Sequence, residues 1–142
     1  MHGIRSRRME TTKITERIKR VEGTIAQACA RAHREPEDIR LVIVTKSADI
    51  EQIEEVIRLG FNHLGENHVQ QLRKVAAQVA AFIEQHPDDP GLAKEIHWHM
   101  VGHLQRNKVR HALPVASLIH SVDTLRLAEE INSSAARMNL AP

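Results

Sequence analysis

Apolar residues recur along this chain with two different periods, and the switches between them mark out its elements. Across residues 12–34, Ile14, Ile18, Val21, Ile25, Ala28 and Ala32 return at three- and four-residue steps, which predicts an amphipathic helix stopped by Pro36. The continuous apolar run of 39–45 then reads as a strand covered on both faces, hence a central parallel strand. Asp49 with Gln52 three residues on has capping-box spacing, and Ile50, Ile53, Val56, Ile57 and Leu59 supply the buried stripe of a helix that Gly60 ends. A second strand is predicted over 61–65, followed by a helix capped by Asn67 and reaching about residue 85. His86-Pro87-Asp88-Asp89-Pro90-Gly91 is a surface turn. A third strand over 96–101, a short helix over 104–112, a fourth strand over 117–122 and a helix capped by Asp123 complete the pattern.

Roughly four strand–helix units in succession argue for an α/β fold with parallel pairing and right-handed crossovers. An open doubly wound sheet fits this length, whereas a closed eight-stranded barrel typically takes about 250 residues. Residues 1–11, polar and carrying Arg5, Arg7 and Arg8, are expected to be a disordered basic tail ahead of a unit formed by 12–142.

Composition narrows the function classes. The 142 residues are 42% hydrophobic and 27% charged, as in an ordinary globular domain. Two phenylalanines, one tryptophan and no tyrosine leave little with which to stack nucleobases. The formal charge of +2 is near balance, and the short arginine cluster does not define a nucleic-acid binder. No apolar run is long enough to cross a membrane, the basic start lacks the apolar core of a secretory signal, and the single Cys29 fits a reducing compartment. A cytoplasmic location is the expectation.

Candidate chemistry gathers at the strand ends, where parallel sheets place ligands. These ends read Thr45-Lys46-Ser47, Gly65-Glu66-Asn67, His99-Met100-Val101-Gly102-His103 and Ser121-Val122-Asp123. A lysine at the carboxyl end of a buried strand loses water, which disfavours its ammonium form and makes it an amine nucleophile suited to Schiff-base chemistry. That singles out Lys46. His97 and His99, two apart on a strand, share a face and suggest a metal-dependent hydrolase, with His103 and Asp123 as candidate partners. Glu66 is either a buried general base or an acid serving the following helix dipole. Arg106, Asn107, Lys108 and Arg110 form a basic face that solvent or an acidic partner could occupy. Cys29, between two alanines, reads as a small buried hydrophobe.

Four segments, Leu41-Val42-Ile43-Val44-Thr45-Lys46, Leu64-Gly65-Glu66-Asn67-His68-Val69-Gln70, Trp98-His99-Met100-Val101-Gly102-His103-Leu104-Gln105-Arg106-Asn107-Lys108 and His120-Ser121-Val122-Asp123, resemble the successive motifs of the YggS/PROSC family of pyridoxal 5'-phosphate (PLP) homeostasis proteins. The resemblance implies the N-terminal part of a (β/α)8 TIM-type barrel like that of alanine racemase, here ending after about four units. It implies PLP held as a Schiff base on Lys46, with Asn67, His99, Gly102 and Ser121 lining the pocket. It further implies a carrier role in PLP homeostasis without established turnover, with recipient apoenzymes as partners. A racemase-like PLP enzyme is the alternative, against which stands the absence of the tyrosine such enzymes supply for proton transfer. Ser47-Ala48-Asp49 stands where many relatives carry a second lysine and a proline, so a transfer role for that lysine is not carried over. The family's phosphate-binding loops lie beyond the part matched here. Weak cofactor affinity, unpaired strand edges and self-association are expected in their absence.

Overall fold

A computed structural model describes the backbone of residues 2–140 and the side chains of residues 13–140. Its order is helix α1 (His2–Ala32), strand β1 (Ile43–Val44), helix α2 (Ile50–Arg58), β2 (His63–Glu66), α3 (Val69–Gln85), β3 (His97–Met100), α4 (Val109–Ala112), β4 (Ala116–Ile119) and α5 (Leu125–Arg137). A 3-10 turn at Pro36–Asp38 follows α1, and another at Arg106–Lys108 leads into α4. Nothing between Ile4 and Thr12 stops a helix, and the backbone of α1 begins at His2, ahead of the start expected near residue 12.

All four strands are parallel and lie in the order β1-β2-β3-β4, each beside its predecessor in sequence. That order decides the placement of the helices. Right-handed connections between successive parallel neighbours put every crossover on the same side of the sheet. A doubly wound sheet requires a reversal of strand order, and none occurs among these four.

Alternation along the strands divides the residues between the two faces. Ile43, Leu64 and Trp98 are register partners on the helix side, where Ile53, Val56 and Ile57 of α2 and Leu72, Val75 and Val79 of α3 join them in the core. Val44, Gly65, His99 and Leu118 form the adjacent row on the opposite face. No helix covers that side: Val44 is 48% exposed and Leu118 51%.

Two sequence expectations are corrected here. β1 is an edge strand, not a central one, and only Ile43–Val44 of the expected 39–45 run is paired. Its apolar character comes from one covered face and from Val42 and Val44, which crowd the space a side chain at Gly65 would need. The helix after β2 starts at Val69 with His68 at its cap, and α5 is capped by the Thr124 hydroxyl; neither Asn67 nor Asp123 fills the capping role assigned to it. Thr124 accepts from Leu127 N–H at 3.2 Å.

Other expectations hold. Asp49 and Gln52 make both bonds of the capping box, at 2.9 and 3.2 Å. Gly60 closes α2 at φ +88°, a conformation that glycine adopts without side-chain strain. Cys29 is buried, although the stripe around it is only partly covered and Val21 remains 45% exposed.

Ile57 is fully buried between α2 and the sheet. Ile57→Ala is expected to lower unfolding free energy by about 2–5 kcal/mol, read as a reduced midpoint in urea with an unchanged slope.

Candidate functional site

The carboxyl ends of β1, β2 and β3 are locked together before any ligand is considered. Thr45 N–H donates to Gly65 O at 2.9 Å, and the Thr45 hydroxyl donates to Glu66 Oε1 at 2.5 Å. Thr45 and Glu66 are both buried, and Glu66 Oε2 has no partner. Glu66 is therefore neither free in solvent nor a helix-dipole acid; it ties the end of β2 to the end of β1. The residues that follow this pair in the chain are Asn67 and Lys46.

Asn67 meets Gly102 backbone to backbone. A Cβ on Gly102 would lie 2.7 Å from Asn67 Cα and 2.8 Å from its carbonyl carbon, closer than real atoms approach. Only glycine lets the turn after β3 lie against the turn after β2. The Ser121 hydroxyl donates to Gly102 O at 2.6 Å, bringing the end of β4 to the same point. A cleft of about 320 Å³ opens there, lined by Asn67, His68, Val69, Gly102, His103, Gln105 and Lys108.

Of the residues singled out in the sequence, Asn67, Gly102 and Ser121 are thus brought together. His99 lies one step below the rim on the uncovered face, between Gly65 and Leu118 in register. Lys46 occupies the turn that leaves β1, one strand away from the cleft, and it is exposed. The expected dry lysine is not what this chain presents: the face on which Val42 and Val44 lie, and to which alternation also assigns Lys46, has no second layer over it.

The histidines form a feature that strand-end motifs did not reveal. His63 Nδ1 and His99 Nε2 are 2.9 Å apart, and His99 Nδ1 and His120 Nε2 are 2.8 Å apart. His97 stacks on His63 with ring centroids separated by 4.7 Å. Both nitrogens of His99 are engaged by other imidazoles, which leaves neither lone pair for a metal and removes the basis of the His97/His99 hydrolase reading. Among the described residues no group of three or more histidines, cysteines or acids is arranged to hold a metal ion. The signal for this row was present in the sequence, since His63, His97 and His99 fall at alternating strand positions, but pairing register was needed to align them.

Burial, followed by the neighbouring His120 and His63 and then by Arg40 and His97, holds the His99 imidazole down from 6.5 to about 4. His63 is lowered in the same sense by burial, His97 and Arg40.

Comparison with known proteins bears on this arrangement. The chain is 34% identical to the pyridoxal phosphate homeostasis protein of Aquifex aeolicus over 88% of its own length and 50% of the relative's. It is also 34% identical to the protein of that name from Homo sapiens, over 82% of this chain and 41% of the relative. The chain belongs to the pyridoxal phosphate homeostasis protein family. It spans about half the length of the curated relatives it matches. Among solved structures, an unknown protein from Bifidobacterium adolescentis superimposes with a TM-score of 0.79 at 33% identity, covering 91% of this chain and 52% of that one. PipY of Synechococcus elongatus, solved with PLP bound, gives 0.61 at 31% identity over 81% of this chain and 50% of its own. No family model matches the chain.

The residues present suit the aldehyde end of the family's cofactor. Lys46 offers a reachable primary amine, Gly102 an open cradle, and Lys108 a cation in the cleft beside it.

Two outcomes follow from this geometry. Gly102→Ala is expected to force the Asn67 turn away from the rim and to cost about 1–3 kcal/mol in urea unfolding. For His99, the unfolded state takes up a proton below about pH 6.5 while the folded state does not until about pH 4. Stability is therefore complete above that window and falls as pH drops through it, by on the order of 3 kcal/mol, levelling off beneath. Urea titrations at stepped pH, with His99→Gln as the comparison, measure that slope.

Proposed function

We propose that this chain holds pyridoxal 5'-phosphate in a homeostatic, non-catalytic role, through a covalent link between the Lys46 amine and the cofactor's aldehyde carbon. The observation that carries this reading is the position of Lys46. It stands at the carboxyl end of β1, directly after the Thr45 that is bonded to Glu66, so that two successive strand ends present Lys46 and Asn67 side by side in the chain order of a named family. Condensation of an amine with an aldehyde releases water, and the bound cofactor supplies a conjugated chromophore; the protein's part is to present the amine and restrict its motion.

Asn67, Gly102 and Ser121 bound the space next to the lysine, and His99 sits beneath it. Residues 12–142 make up the cofactor-binding unit, with the basic segment 1–11 outside it. We read the sheet as the N-terminal part of a (β/α)8 barrel. The unreversed strand order and the one-sided placement of the helices support that reading, as does the half-length match to larger relatives. In this arrangement the uncovered face is the barrel's interior, and strands β1 and β4 are edges open to a further layer or to a second copy. Delivery to recipient apoenzymes in the cytoplasm belongs to the same proposal. Among the described residues no helix is long and apolar enough to cross a membrane.

A racemase-like activity would need a proton-transferring group opposite Lys46, and this sequence contains no tyrosine. The curated relatives are named for homeostasis and not for a reaction. Mixing the protein with PLP is expected to produce a visible absorption band that Lys46→Ala abolishes. Retention of that band at normal intensity in the variant would overturn the assignment.

A further inference from the structure

Three imidazoles joined end to end on the open face of a sheet are unusual furniture for a core, and their proton count sets a limit on the arrangement. We propose that His63, His99 and His120 are positioning residues for the ligand rim. Their row accommodates one excess proton and comes apart on the second, so that acidification loosens the hold on a phosphorylated aldehyde. This rests on the reading of Lys46 given above.

The limit follows from counting nitrogens. A neutral imidazole has one nitrogen that donates and one that accepts. Two N···N contacts, at 2.9 and 2.8 Å, join the three rings, and each contact is satisfied by one proton. A neutral row therefore carries two protons in its contacts and a third on one outer nitrogen, either His63 Nε2 or His120 Nδ1. A fourth proton, taken from solvent, occupies the other outer nitrogen with both bonds intact. A fifth has nowhere to go except into a contact, where two N–H groups would face each other, and one bond must break.

His99 stands in the middle and bears the consequence. At 3% exposure it cannot replace a lost imidazole with bulk water, so either rupture leaves a buried polar nitrogen unpaired. The groups that act on it, in order of effect, are His120, His63, Arg40 and His97, none of them acidic. His97, stacked on His63, is of the same sign when charged. The acid nearest the row in sequence is Asp123, whose carboxylate lies 3.9 Å from His103 at the rim. No carboxylate is thus placed to absorb a second charge on the row.

The row is mechanically connected to the ligand rim. His120 N–H donates to Met100 O at 2.9 Å, fixing the end of β4 against β3. The next residue, Ser121, donates to Gly102 O at 2.6 Å, and Gly102 rests on Asn67. A shift of His120 is therefore passed to the three residues that bound the cleft through one hydrogen bond and one backbone contact.

The first measurement is on the ligand-free full chain. Nitrogen-15 NMR of the histidine rings, followed from about pH 8 to about pH 4, is expected to show the two contact protons surviving one protonation event and disappearing together at the next. Independent titration of all three rings at ordinary values would overturn the proposal. The second measurement follows retention of the PLP absorption band against pH. His120→Gln places an amide that donates or accepts without titrating, and its release midpoint is expected to fall by about one pH unit relative to the unaltered chain. His120→Ala, which offers neither, is expected to retain PLP less well at every pH. An unchanged midpoint in His120→Gln would overturn the proposal. Failure of PLP to bind through Lys46 would leave the NMR result standing, so the two readings fail separately.

Discussion

The structure depends on the direction in which its strands are wound. Four parallel strands laid down in sequence order, each joined to the next by a right-handed crossover, force the crossover helices onto one side and bring the strand carboxyl ends to one rim. The core is then one-sided: Leu64, Trp98 and Met100 are buried, whereas Val44 and Leu118 on the other face are half open. The rim inherits its residues from that topology. Lys46, Asn67, Gly102 and Ser121 are far apart in the chain, and only the shared direction of the strands makes them neighbours along an edge.

At the rim, small polar contacts set positions that hydrophobic packing alone would leave loose. Burying the Thr45–Glu66 pair costs desolvation that a single hydroxyl donor does not fully offset, since Glu66 Oε2 is left without a partner. What the pair provides is registry between the ends of β1 and β2. Gly102 contributes by lacking a side chain, because any Cβ would collide with the Asn67 backbone. The same economy appears on the uncovered face, where Gly65 is packed over by Val42, Val44 and Val101.

Much of this was legible in the sequence, and the places where it was not are instructive. The capping box at Asp49, the stop at Gly60 and the strand-then-helix rhythm are local signals, and the chain obeys them. β1 was misjudged as central because a continuous apolar run has the same appearance whether its second face is covered by a layer or by two valines closing over a neighbouring glycine. Asn67 and Asp123 have the chemistry of helix caps, but tertiary contact claims Asn67 for Gly102, and Thr124 caps α5 in place of Asp123. Lys46 was found from its place after a strand; its exposure could not be, since water access depends on what lies over the open face. The row of His63, His99 and His120 joins three strands, and no spacing within any one of them announces it.

The central claim is that the amine of Lys46, and no other, captures the cofactor. Borohydride reduction of the protein–PLP mixture followed by peptide mapping in a mass spectrometer tests it most directly. The account predicts a reduced pyridoxyl adduct confined to the peptide that contains Lys46. An adduct on Lys108, or spread over several lysines in proportion to their exposure, would contradict it.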